Sequence, residues 1–115
     1  MKYTSGNAFS GRGDALMSVL SVTYDLHREP GRNYFGLFNA LKKFPSWCHV
    51  LESTWFVVTD MTPKDVYEHL KRYLHARDKL LIMPAAFDAG WWALEVSEDI
   101  LEWLRKNLTT AIGKR

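Results

Sequence analysis

Cysteine is nearly absent: Cys48 stands alone in 115 residues. One thiol forms no internal disulfide and no cysteine metal site, and such usage suits a reducing cytoplasm. Long hydrophobic runs are missing too. No stretch approaches the ~20 apolar residues of a membrane span, so no membrane partner is expected. Met1 to Ala15 carry no apolar segment like that of a signal peptide. Charge of one sign is scarce as well. A formal net charge of +2 argues against a dedicated nucleic-acid wrapper and leaves room for a local basic patch. Gly11, Arg12 and Gly13 sit together, but with the spacing of neither common nucleotide-binding loop.

What the chain does have is apolar and aromatic. The hydrophobic fraction is 47% and the aromatic fraction 14%, enough for one folded domain with a single core. Five Trp are many for this length, and bulky rings that a small domain cannot fully bury tend to serve interfaces. Residues 1–15 read as a flexible tail, 16–108 as the domain, and 109–115 as a frayed end.

The organising stretch is Ser18 to Asp25, Ser-Val-Leu-Ser-Val-Thr-Tyr-Asp. Its β-branched and apolar content predicts a strand, and Pro30-Gly31 marks the turn beyond. Asp25 falls where strand gives way to loop, so its carboxylate can face solvent and a partner. His27, Arg28 and Arg32 crowd beside it in a loop that is either a solvated charged turn or a phosphate-contacting one. A helix is expected from Asn33 to Phe44, with Tyr34, Leu37, Phe38 and Leu41 on one face and Pro45 as its stop.

Trp47 to Leu51 and Thr54 to Thr59 read as a hairpin about Glu52-Ser53. Thr62, Pro63 and Asp65 then open a helix with Val66, Leu70, Tyr73 and Leu74 on its apolar face. Asp78 to Met83 is a further strand, with Asp78 itself a structural turn residue and Pro84 its end. Trp91 to Val96 is expected as a short extra strand. Ser97 caps a last helix carrying Ile100, Leu101, Leu104 and Leu108. His69 and His75 are not at metal-ligand spacing. His27 and His49 are candidate acid–base groups without a visible orienting partner.

Strand, helix, strand, strand, helix, strand predicts an α+β, ferredoxin-like (β-α-β-β-α-β) domain with a C-terminal strand and helix extension. Alternation places Leu20, Val22 and Tyr24 on one sheet face and Val19, Ser21 and Thr23 on the other. Trp55, Val57 and Thr59 likewise oppose Phe56 and Val58. With the two main helices on one face, the second stays apolar and partly uncovered, which predicts a two-fold homodimer.

Val22-Thr23-Tyr24-Asp25-Leu26, His49-Val50-Leu51-Glu52-Ser53-Thr54-Trp55-Phe56 and Asp78-Lys79-Leu80-Leu81-Ile82 together resemble the small CRISPR-associated adaptation nuclease family. The chain is most similar to its SinR-like relatives and more distantly to VapD-type ribonucleases, over Met17 to Leu108. The resemblance implies a ferredoxin-like homodimer. It implies that Asp25 matches the acid after the first strand, which in the metal-dependent members holds Mg2+ jointly with its two-fold mate. It also implies that Ser53 matches the hairpin serine near the same cleft. Leu51 departs from the family, standing where many members carry glutamine.

Two functions from different classes follow. One is a magnesium-dependent phosphodiesterase acting on RNA or DNA, with Asp25 and Ser53 catalytic, Asp25 the metal ligand, and Arg28, Arg32 and His27 on the nucleic acid. The other is a non-catalytic dimeric scaffold that binds nucleic acid or a protein.

Overall fold

A computed structural model describes residues 2–4, 17–85 and 90–113, with side chains described as far as Leu108. The chain is α+β. Its elements are β1 (Ser18–Asp25), α1 (Phe35–Leu41), β2 (Ser46–Leu51), β3 (Thr54–Thr59), α2 (Pro63–Lys71), β4 (Lys79–Pro84) and α3 (Glu98–Gly113). The strands form one four-stranded antiparallel sheet in the order β2-β3-β1-β4.

The period-2 alternation of the strands sorts the core into two clusters, one on each face. Leu20, Val22, Trp55 and Val57 pack with Leu37 and Leu41 of α1 and Val66 and Leu70 of α2. Val19, Cys48 and Val58 point the other way and pack with Ile100, Trp103, Leu104 and Leu108 of α3. The expected facing of β1 and β3 is therefore observed. Ser46 ties the second layer together: its hydroxyl accepts from the buried Trp103 Nε1 at 3.1 Å and shares a 2.8 Å hydrogen bond with Thr4.

Local signals explain the helices. Thr62 accepts from the Asp65 N–H at 3.1 Å, and Pro63 sits at the first helical position, where a missing N–H costs nothing. Ser97 accepts from the Ile100 N–H at 3.4 Å to open α3.

Several boundaries differ from the sequence expectation. α1 starts at Phe35, with the Asn33 side chain accepting from the Phe35 N–H at 3.3 Å, and it stops at Leu41, short of Phe44. β2 begins at Ser46, and β4 runs Lys79–Pro84. Trp91 to Val96 is not a strand. The backbone breaks at two left-handed residues, Gly90 (φ 80°) and Glu95 (φ 59°), so the C-terminal extension is a helix alone. That helix runs on to Gly113, beyond the expected end at Leu108.

The first residues also behave unexpectedly. Tyr3 bridges Cys48, and the His49 N–H donates to the Lys2 carbonyl at 2.7 Å, so Lys2 to Thr4 shield the outer edge of β2. The remainder of the expected tail, residue 1 and residues 5–15, lies outside the described residues.

Candidate functional site

Asp25 is the last residue of β1 and is exposed. It stands in register opposite Lys79 of β4, above a shallow hollow of about 150 Å³ that Thr23 and Leu81 also line. By strand parity Asp25 shares the α3-side face with Thr23, Ser21 and Val19. α3 packs over Val19 and leaves the Asp25 end of that face open. The open half carries Leu81, Met83 and Leu51, all exposed large apolar side chains.

Ser53 lies at the same end of the sheet. Its backbone carbonyl accepts from the Tyr24 N–H at 3.0 Å, which continues the β1–β3 ladder past Thr23 and Thr54. The hairpin turn is thereby locked beside the strand end that presents Asp25.

The basic loop is divided. Arg28 is exposed, with its guanidinium 5.3 Å from the centre of the Tyr34 ring, and remains accessible to an anion. Arg32 is turned inward: its Nη1 donates to the His27 carbonyl, and it pairs with Glu29 at 3.5 Å and Asp78 at 3.9 Å. His27 has an orienting carboxylate that the sequence did not reveal, because its Nε2 lies 3.0 Å from Glu29.

Asp78 is the hub of this loop. Its side chain is 0% exposed and accepts from the His27 N–H at 2.6 Å, the His75 N–H at 2.7 Å and the Tyr34 hydroxyl at 3.0 Å. Burial by itself would raise its pKa. The two backbone N–H groups, the Tyr34 hydroxyl and Arg32 outweigh burial and hold the carboxyl below its usual range. The expectation of a structural turn residue is met.

An aromatic cluster stiffens the hairpin from the other face. The His49 ring stacks on Trp55 with centroids 4.2 Å apart, and its Nε2 lies 3.0 Å from the Glu52 carbonyl. Trp55 Nε1 donates to the Tyr24 hydroxyl at 2.9 Å, and that hydroxyl donates in turn to the Glu52 carbonyl at 3.2 Å. Burial raises the Tyr24 pKa, so the phenol stays protonated and able to donate. Sequence reasoning missed this network. The shared facing of Tyr24 and Trp55 was its only visible sign. Cys48 takes no part: it is fully buried, and burial pushes its thiol up to about 12.

Among the described residues no three His, Cys, Asp or Glu side chains gather as a metal site. Mg2+ bound with phosphate oxygens and water commonly takes one or two carboxylates. One Asp25 is a sparse donor set, and two across a symmetry axis fit that number. No described helix is long and apolar enough to cross a membrane. Comparison with protein-family models, curated proteins and solved structures finds no match in any of the three.

Proposed function

We propose that the chain is a ferredoxin-like, cytoplasmic homodimer similar to the small adaptation nucleases and their SinR-like relatives. It acts on RNA or DNA, and hydrolyses phosphodiesters with Mg2+ held by two Asp25 carboxylates. The observation that carries this is the place of Asp25, exposed at the end of β1 on the apolar half-face that α3 leaves open. Burying that half-face against a second copy draws the two strand ends toward one axis. The order β4-β1-β3-β2, with the helices between strands as observed, supports the fold. Exposed Arg28 supports phosphate contact, whereas Arg32 and His27 serve the loop that presents it. Ser53, locked beside the same strand end, is assigned to the catalytic cleft.

The test is incubation of the purified protein with single-stranded RNA and duplex DNA, with Mg2+ or a chelator. Cleavage is expected with Mg2+, and Asp25→Ala is expected to abolish it. Cleavage that survives chelation or the substitution sinks the mechanism.

A non-catalytic nucleic-acid-binding dimer is favoured by one specific observation. Lys79, a cation, faces Asp25 in register, and neither β1 nor β4 holds a second acid. Salt-sensitive binding without turnover would select it. Absence of nucleic-acid binding at any salt would point to a protein partner.

A further inference from the structure

Trp91 and Trp92 are neighbours with different surroundings. Trp91 is half-buried and packs with the α3-side cluster. Trp92 is 99% exposed, and Leu94 close behind it is 86% exposed. The left-handed residues Gly90 and Glu95 fix the backbone on either side, and Glu95 occupies a region that costs a non-glycine residue energy. The loop is therefore held in a shape that presents an indole to solvent.

This loop, Trp92 included, forms one side of a cavity of about 460 Å³. Val50, Phe56, Trp91 and Leu104 wall it, and Ser21 and Thr54 face it from the sheet. A space of this size is in the range of pockets that enclose a drug-sized group, and an indole is smaller than that.

We infer that Trp92 of one copy seats in this cavity of a second copy, and that the second copy's Trp92 seats reciprocally in the first. The inference rests on the two-fold reading given above and adds the anchor and its socket. Both belong to one loop, so one rotation can fill both sockets at once, as an isologous contact requires. Exposed apolar area favours a second copy over a small ligand. A molecule filling the cavity alone leaves Leu81 and Met83 in water, because neither lines it. Together with Leu51 and Leu94 these side chains offer several hundred Å² of apolar surface, a large share of the roughly 800 Å² per partner of a standard interface. Trp is also the side chain most enriched among residues that dominate interface energy when seated in a desolvated pocket.

Sedimentation of the full chain across micromolar concentrations tests this, using the wild type, Trp92→Ser and Ser21→Phe. Trp92→Ser removes the anchor from an exposed position, and Ser21→Phe fills the socket from the sheet. Each is expected to weaken dimerisation at least about thirtyfold, the loss typical of a central interface anchor. Circular dichroism confirms that both variants fold. A wild-type dimer whose affinity neither substitution changes overturns the anchor and leaves the two-fold reading standing. A wild type that stays monomeric overturns the two-fold reading and the anchor with it. Loss of affinity in Ser21→Phe alone also overturns the anchor, because it places something other than Trp92 in the socket.

Discussion

At the scale of single residues, Asp78 shows how a distant side chain shapes a loop beside the candidate site. His27 lies 51 positions away in sequence, yet its backbone N–H depends on this carboxylate. Asp78→Ala strands the part-buried His27 N–H, while the exposed His75 N–H can turn to water, and is expected to cost about 1–3 kcal/mol. Denaturant melts at neutral pH measure this directly. The pH dependence has a definite sign. The folded carboxyl titrates below the ordinary 3.8, so its stabilisation is complete above that value and lost as pH falls through the lower folded one. The stability gap between wild type and Asp78→Ala is therefore expected to narrow only in strong acid. A gap that stays constant through strong acid would show that the charge contributes nothing. Ser46→Ala is a second case: it deprives the buried Trp103 N–H of its acceptor, with an expected loss of about 1–3 kcal/mol in the same melts.

At the scale of elements, the close approach of α1 and α2 turns on Gly36. A Cβ built there would lie 2.7 Å from Cδ1 of Tyr73, a ring packed against the core. Ala is the better helix former by about 1 kcal/mol, but overpacking costs about 1–3 kcal/mol. Gly36→Ala is expected to be destabilising on balance, and pairing it with Tyr73→Leu is expected to restore stability. Thermal melts of the single and double variants check this, and a stabilised Gly36→Ala would show that the ring moves freely. Much at this scale was legible in the sequence. Alternation in Thr54 to Thr59 assigned the faces of β3, and Thr62-Pro63 marked the start of α2, because both signals are local. Trp91 to Val96 misled because aromatic and β-branched residues fit a strand, but a strand also needs a pairing partner, and sequence does not show one. Trp103, the bulkiest buried side chain described in α3, falls outside the predicted apolar face although its three-residue spacing from Ile100 fits it. The candidate site was legible in Asp25, whose strand-end position implied exposure. It was not legible in Arg32, whose inward pairing depends on Asp78, distant in sequence but placed beside the same loop at the start of the neighbouring strand β4.

At the scale of the whole molecule, the proposed dimer would couple oligomer and chemistry through charge. Two Asp25 carboxylates brought toward one axis repel, at about 1 kcal/mol for a few ångströms of well-solvated separation and more where water is excluded. Asp25→Asn removes that repulsion, so without metal the variant is expected to dimerise at least as tightly as the wild type. Mg2+ held between the two carboxylates, as proposed, is expected to reverse the order. An ion bound by the folded dimer and not by the unfolded chain stabilises the fold by about 2.7 kcal/mol at a hundred times its dissociation constant. For a domain of this size that corresponds to a rise in Tm of roughly 5–15 °C. Calorimetry with Mg2+ and with chelator, at several protein concentrations, separates the contributions. The wild type is expected to show a Tm that rises with protein concentration and again with Mg2+, and Asp25→Asn only the first rise. Equal Mg2+ shifts in both proteins would place the ion away from Asp25. A Tm independent of protein concentration would mean that the half-face carrying Leu81 and Met83 stays in water, and that each Asp25 works alone.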